Sequence, residues 1–222
     1  MSPHSSIRTL RPTGLPAFAG FGYVVAWVAG LSIFPVNLAL DANRAEVVDA
    51  YTKHRTVGAL QYVLVEGVAA VLLALVFATL FAMWSTQHSS APRPAYLFVG
   101  IAVTISLAQC ALGLAMIQAA QRTDSTVAFD LYGAVNRLDG VKMLALAALA
   151  VSLVVRGKGG LPRWLRTCGV LLAGALLISA IAYLFLWNAL AWSVYVSGPL
   201  LLLWVAGIGA SVSRAHRRSK AV

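Results

Sequence analysis

The sequence predicts an all-α, polytopic membrane protein with six transmembrane helices, and three observations lead to that prediction. Hydrophobic residues make up 60% of the chain and charged residues only 11%, whereas soluble domains carry roughly 25% charged residues. Six apolar stretches approach the roughly 20 residues with which a helix crosses a ~30 Å hydrocarbon layer. The basic residues concentrate in alternate connections between those stretches. Lipid is therefore the expected solvent for most of the chain.

The predicted spans lie in a membrane domain of residues 17–213 and cover 17–38, 58–84, 96–120, 141–155, 167–187 and 193–213. The fourth stretch reaches spanning length only if its helix begins near Leu138. The run 167–213 would measure about 70 Å as one helix, so it must reverse direction. Asn188, between Trp187 and Trp192, is the predicted turn.

The distribution of Lys and Arg predicts that both termini face the cytoplasm, because cytoplasmic loops of membrane proteins are enriched in these residues. The inner segments would carry eleven basic residues and no acid: Arg8, Arg11, Arg93, Arg156, Lys158, Arg163, Arg166, Arg214, Arg217, Arg218 and Lys220. The outer segments would carry six basic residues (Arg44, Lys53, Arg55, Arg122, Arg137, Lys142) and six acids (Asp41, Glu46, Asp49, Asp124, Asp130, Asp139). Residues 1–16 would then be a cytoplasmic segment and residues 214–222 a basic cytoplasmic tail. We expect the tail to attract anionic lipid at about 1 kcal/mol per basic residue.

Several function classes are not expected from these residues. All four histidines (His4, His54, His88, His216) lie outside the predicted spans, so no intramembrane metal or haem cofactor is predicted. Cys110 and Cys168 lie in different spans without a C-x-x-C motif, and no Ser/His or paired-Asp arrangement lies within the spans, so no enzyme is predicted. The basic residues sit at span ends, so nucleic acid is not an expected partner. The expected partners are the lipid bilayer and a membrane protein or a second copy of the chain.

An internal repeat with an offset of about 82 residues is the most informative local pattern. The first copy reads Gly30-Leu31, Asp41, Asp49-x-Tyr51 and Arg55-x-x-Gly58. The second reads Gly113-Leu114, Asp124, Asp130-x-Tyr132 and Arg137-x-x-Gly140. Both copies begin with a span of the same direction, which predicts two tandem parallel helix hairpins, about 17–84 and 96–156, followed by a third hairpin at about 167–213.

The two outer connections are predicted to be helices that lie flat on the membrane. Asp41 is expected to cap the first, with Ala45, Val48 and Thr52 on one face, and Asp124 is expected to cap a second helix at 125–138. Two interpretations remain open. The helices rest on lipid headgroups, or they form a paired lid over an outer vestibule with ion pairs across the pseudo-axis. The candidate vestibule residues are Asp49, Tyr51, Arg55, Asp130, Tyr132 and Arg137.

Glu66 is the candidate polar site within the spans. An ionised carboxylate at this depth costs on the order of 3 kcal/mol on insertion scales. Tyr62 lies one turn away on the same helix face, and Ser106 and Gln109 belong to a small polar stripe on the third span. Either Glu66 is protonated and hydrogen-bonded to Gln109 or a backbone carbonyl, or it binds a proton or cation at the base of a cavity.

The segment 41–80, with Arg55 leading the second span, and the closing run from Gly198-Pro199 to Trp204 resemble a family of bacterial integral membrane proteins known only as a domain of unknown function. Pro199 stands where that family often has Glu. The resemblance implies a six-span protein of the bacterial cytoplasmic (inner) membrane and no catalytic activity.

Two functional hypotheses follow. The first is a non-catalytic membrane protein that acts by binding, as an accessory subunit or as a sensor of lipids or small ligands. The second is a small proton-linked permease or exporter that uses Glu66. The first agrees with the absence of catalytic motifs, and the second with the repeat and the intramembrane acid.

Overall fold

A computed structural model shows an all-helical chain. The structure describes residues 15–36, 38–86, 93–122, 124–156 and 161–218, apart from the side chains of His216 and Arg218. Within these ranges the chain forms seven helical rods and no β-strand. Most of the predicted cytoplasmic segment 1–16, and the end of the basic tail from residue 219, lie outside the described residues, as do Lys158 and His88.

Six of the rods are long and apolar enough to cross a membrane, namely Leu15–Ile33, Arg55–Ser85, Arg93–Gln121, Ser125–Val155, Arg163–Leu184 and Asn188–Ala215. The prediction of six long apolar helices is therefore confirmed. The elements in chain order are α1 (Leu15–Ile33), α2 (Arg44–Lys53), α3 (Arg55–Tyr62), a π-helical turn (Val63–Val68), α4 (Ala69–Thr86), α5 (Arg93–Gln121), α6 (Ser125–Arg156), α7 (Arg163–Leu184), a 3₁₀ turn (Asn188–Ser193) and α8 (Val194–Arg218). The π-helical turn joins α3 and α4 into one continuous rod.

Helix α6 packs against both α5 and α7, while α1 packs against α8 and α4. The first and last spans approach closely because Gly209 has no Cβ, and a Cβ there would collide with the carbonyl oxygen of Pro16. Next to this contact the backbone N–H of Ala17 donates to the Ser213 hydroxyl at 2.9 Å. Small residues at helix interfaces allow such approach, which is how helices associate in lipid. This contact joins α1 and α8, the first and last helices of the chain, and so closes the bundle.

The turn between α7 and α8 lies where the sequence predicts it. Helix α7 ends at Leu184, and Leu186, two residues later, has a φ of 51°, in the left-handed region. The N–H of Trp187 donates to the carbonyl of Ala182 at 2.7 Å, and the N–H of Leu186 donates to the carbonyl of Tyr183 at 3.4 Å. This pair of bonds is a Schellman motif, which satisfies carbonyls at a helix end. The 3₁₀ turn then begins at Asn188 and leads into α8.

The first outer connection differs in detail from its prediction. The cap of α2 is Asn43 and not Asp41, because the Asn43 side chain accepts from the N–H of Glu46 while the Glu46 carboxylate accepts from the N–H of Asn43. This reciprocal capping box satisfies two free donors, which a lone Asp41 would not do. The buried face of α2 is Val47, Ala50 and Tyr51, whereas Ala45 and Thr52 are exposed. The assignment of the apolar face was therefore also wrong.

The second outer connection is not a separate flat helix. Asp124 does cap it, since its carboxylate accepts from the N–H of Val127 at 3.3 Å. The helix then continues from Ser125 to Arg156 without a break. Thirty-two residues at ~1.5 Å each measure about 48 Å, well above a ~30 Å hydrocarbon layer. The segment 125–138 is thus the first part of the fourth span's own helix, and no turn residue interrupts it.

Candidate functional site

A cavity of about 620 Å³ lies inside the bundle, bordered by residues of α1, α2, α3, the π-helical turn, α6, α7 and α8. It meets the surroundings between α1 and α8, where Val28, Leu31 and Tyr195 line it and are each about half exposed or more. Cavities of this size fall in the range of small-molecule sites in proteins, which is about 300–1,000 Å³. The cavity is therefore large enough for a small organic molecule.

Three ionisable side chains form one cluster at the cavity wall. The Lys142 ammonium donates to both oxygens of Glu66, at 2.8 Å and 2.7 Å, and lies 2.7 Å from one oxygen of Asp139. The side chains of Lys142 and Glu66 are 11% and 8% exposed, so both are largely removed from solvent. Asp139 is more accessible, at 23%. A single buried ammonium is thus shared between two carboxylates.

Helix α6 supplies Asp139 and Lys142 on one face, since residues three apart on a helix are neighbours. Lys142 lies fourteen residues before the end of α6, or ~21 Å along the axis. Gly140, between the two charged residues, lets α6 approach α7 closely. A Cβ at Gly140 would lie 2.9 Å from the backbone nitrogen of Leu184 and 3.0 Å from the carbonyl oxygen of Ala180. Gly140 thus allows a close contact between α6 and α7 at the level of the two charged residues.

Glu66 lies in the π-helical turn of the second span. A π turn holds one more residue than an α turn, so it changes the direction of the side chains within it, and such turns are frequent at functional sites. The Ser106 side chain of α5 lies next to the Glu66 carboxylate. On α1, a Cβ at Gly30 would lie 2.5 Å from a methyl carbon of Val65, the residue before Glu66. Neighbouring helices therefore hold this turn on two sides.

The structure separates the four predicted polar residues into two groups. Glu66 and Ser106 come together, whereas Gln109 donates its amide to the carbonyl of Val135 at 3.0 Å and leaves its own side-chain oxygen without a partner. A Glu66–Gln109 hydrogen bond was one of the alternatives expected from the sequence, and the Gln109 amide instead contacts the α6 backbone. Tyr62 lines the same cavity as Glu66, and its hydroxyl lies 3.4 Å from that of Tyr51.

The six predicted vestibule residues also divide. Tyr51 and Tyr132 line the cavity, and the Tyr132 hydroxyl donates to the carbonyl of Ala39 at 2.7 Å. The other four, Asp49, Arg55, Asp130 and Arg137, are exposed. Asp49 pairs with Lys53 on its own helix, and no ion pair among the described residues links these four side chains across the two connections. Of these six residues, the two tyrosines thus belong to the cavity and the four charged residues do not.

Lys142 and Asp139 are the site residues that sequence reasoning missed. Both were counted with the outer segment, so Glu66 was expected to have no basic partner within the spans. The structure corrects this, because both residues lie inside the fourth span and Lys142 is buried. Their spacing of three, directly before an apolar run that needed additional residues to reach spanning length, was the available signal.

The cluster offers sites for a proton or a cation and no arrangement of an activated nucleophile. No group of three or more His, Cys, Asp or Glu that could hold a metal ion occurs in the part of the chain that the structure describes. Cys110 and Cys168 are free thiols. Comparison with protein-family models, with curated proteins and with solved structures finds no match to this chain.

Proposed function

We propose that this chain is a six-span membrane protein that acts by binding a small molecule in the cavity, and that it is not an enzyme. The observation that supports this most is the Glu66–Lys142–Asp139 cluster at the wall of a cavity of about 620 Å³. Charged groups within membrane spans are costly and usually mark ligand, ion or proton sites. A cluster that served packing alone would not need a cavity beside it.

The proposed orientation has both termini in the cytoplasm of a bacterial cell, with the protein in the cytoplasmic membrane. Placing Lys142 and Asp139 inside a span leaves five basic and five acidic residues in the outer segments, against eleven basic residues in the inner ones. The asymmetry favours this orientation. Arg214 and Arg217, near the end of α8, are exposed and would face anionic headgroups on the inner side.

We also propose that the two tandem hairpins are a duplication. Arg44 of α2 donates to the Thr126 hydroxyl of α6 at 3.2 Å, and these residues are separated by 82 positions, the offset of the repeat. When two copies of a repeat are related by a rotation axis, residues at equivalent positions contact each other next to that axis. The charged cluster does not follow the repeat, since the same offset relates Glu66 to Ala148 and Lys142 to Leu60. The site would then be a later addition to a duplicated scaffold.

Mass spectrometry tests the binding function. The protein would be purified with its native lipids and unfolded. The released small molecules would then be compared with those released from a variant whose cavity is filled. Val28→Trp places a larger side chain in the cavity, because Val28 lines it. Val25→Trp is the matched control, one turn earlier on α1 and outside the lining. We expect an enriched compound in wild type and Val25→Trp but not in Val28→Trp. Equal recovery from all three would refute the proposal.

A proton-linked permease is the second candidate, favoured by the position of three titratable groups within the spans and at the cavity. It is tested with proteoliposomes that contain a pH-sensitive dye and receive the compound recovered above. A permease changes the internal pH when the compound is added, and Glu66→Gln stops the change. Glu46→Gln, which removes an exposed carboxylate of α2, is the control. If the pH inside proteoliposomes with the wild-type protein stays constant, the permease proposal fails and the binding proposal stands.

A further inference from the structure

The cavity wall combines aromatic rings with a cluster of negative net charge. Its aromatic members are Trp27, Phe34, Tyr51, Tyr62, Tyr132, Tyr183 and Tyr195. Ring faces attract cations because their π-electrons are negative. An aromatic wall of this kind therefore suits a ligand that has both an apolar part and a positive charge.

The charges of the cluster do not cancel. Glu66 and Asp139 contribute two negative charges when ionised, and Lys142 contributes one positive charge, so the sum is minus one. No Arg and no other Lys lines the cavity among the described residues. A monovalent cation placed there would bring the total charge to zero, whereas an anion would raise the buried negative charge to minus two.

Several hydrogen-bond donors of the wall, those on α6 among them, already have partners within the protein. Lys142 is held by three carboxylate oxygens, the Asn136 amide donates to the Tyr132 carbonyl at 3.0 Å, and the Tyr132 hydroxyl donates to Ala39. Acceptor capacity remains, because Asp139 contacts Lys142 through one oxygen and its side chain is 23% exposed. An ionised carboxylate has about four acceptor positions. The site therefore suits a ligand that donates hydrogen bonds or carries positive charge.

From these three observations we propose that the cavity binds an organic monocation with an apolar body, its charged end at Asp139 and Glu66 and its body among the aromatic rings. This inference depends on the proposed binding function and specifies its ligand class. The exposed lining residues Val28 and Leu31 place the mouth of the cavity on an apolar surface of α1. An amphipathic cation, unlike a small metal ion, has an apolar part that this mouth accommodates.

The test uses the full chain in lipid nanodiscs and three probes of similar shape. Phenyltrimethylammonium is a permanent cation, tert-butylbenzene is its uncharged isostere, and benzenesulfonate is an anion of similar size. Binding is measured by equilibrium dialysis with radiolabelled probes, and empty nanodiscs give the partition into lipid. We expect saturable binding of the cation, at least tenfold tighter than that of the anion. Tighter binding of the anion or of the neutral isostere would overturn the inference.

Variants locate the bound charge. Asp139→Asn brings the cluster to zero charge and should weaken cation binding at least tenfold, while Asp130→Asn, an exposed carboxylate earlier on α6, should not change it. Equal affinity in Asp139→Asn and wild type would overturn the inference. The comparison of probes on wild-type protein decides the charge preference even if Asp139→Asn does not fold. If the neutral or anionic probe binds and Val28→Trp removes its binding, the cation inference fails and the proposed binding function stands. If no probe binds, the cation inference fails, and mass spectrometry alone decides the binding function.

Discussion

Replacing Lys142 with Met is the sharpest test of how the bundle is held together. The substitution keeps most of the volume and the apolar stem of the side chain but removes the ammonium that contacts three carboxylate oxygens at 2.7–2.8 Å. Glu66 and Asp139 then face one another without a cation. Both lie inside the bundle, with side chains 8% and 23% exposed, so water compensates them poorly.

The expected cost follows from these distances. At 2.7 Å and an effective dielectric constant of about 20, each ammonium–carboxylate contact is worth about 6 kcal/mol of attraction. Desolvation of each ion opposes this by several kcal/mol, so the net worth of the cluster is far smaller than the sum of its contacts. Removing one partner of a buried pair leaves the desolvation cost uncompensated and destabilises by roughly 3–5 kcal/mol. We expect a loss of this size for Lys142→Met.

The carboxylate variants should be milder. Glu66→Gln leaves Lys142 paired with Asp139 and replaces two ammonium–carboxylate hydrogen bonds with one to a neutral amide oxygen, a difference of about 1–2 kcal/mol. Lys53→Met is the control for loss of a Lys–Asp pair, because Lys53 and Asp49 are 66% and 59% exposed. An exposed pair of this kind contributes at most about 0.5 kcal/mol on a helix surface. The expected order of damage is therefore Lys142→Met, then Glu66→Gln, then Lys53→Met.

Reversible unfolding in mixed micelles with increasing SDS measures these differences, with tryptophan fluorescence as the signal and near-neutral pH throughout. The double variant Glu66→Gln/Lys142→Met completes a thermodynamic cycle and should show a coupling energy of about 1–3 kcal/mol. A Lys142→Met protein as stable as wild type would refute the reasoning. So would equal damage from Lys142→Met and Lys53→Met.

Three further predictions concern other parts of the structure. Gly140→Ala places a Cβ 2.9 Å from the Leu184 backbone nitrogen, so it should destabilise by about 1–3 kcal/mol, whereas Gly174→Ala meets nothing within 4 Å and should be neutral or slightly stabilising in the same unfolding assay. Leu186→Ile puts a β-branched residue at a φ of 51° and should cost on the order of 1 kcal/mol more than Leu177→Ile on the exposed face of α7; equal losses would contradict the left-handed conformation. Burial raises the pKa of Tyr51 above its ordinary value of 10.0, while the hydrogen bond to Tyr62 opposes the shift. A raised folded-state pKa gives stability that is present below the unfolded pKa and lost as pH rises through the folded one. Stability should therefore fall as the pH rises above 10.0, and Tyr51→Phe should reduce that fall.

Residue composition was sufficient to predict the long helices, because lipid imposes a strong and local constraint on the backbone. Each backbone polar group must find its partner inside its own segment, so a stretch of about 20 apolar residues can only be a helix. This reasoning predicted all six long helices and the reversal near Asn188. The capping role of Asp124 was also predicted, because a cap depends on residues three positions away, although the same argument assigned the cap of α2 to Asp41 and was wrong there.

The extent of α6 could not be decided in this way. The segment 125–138 is amphipathic, and that pattern is compatible with a flat helix on headgroups or with the first turns of a longer one. The choice depends on what covers the apolar face, and α2 and α5 cover it here. The same uncertainty assigned Asp139 and Lys142 to the outer segment, although they lie on a helix that continues into the fourth span.

The sequence by itself determined that the chain is helical, that six helices are long enough to span a membrane, and that Glu66 lies within one of them, because hydrophobicity and helical period are properties of single segments. Only the tertiary structure decided that Glu66 shares an ammonium with Asp139, and that the three charges border a cavity. Lys142 is 76 positions from Glu66, and a contact over that distance depends on how helices pack, which the period of one segment does not contain.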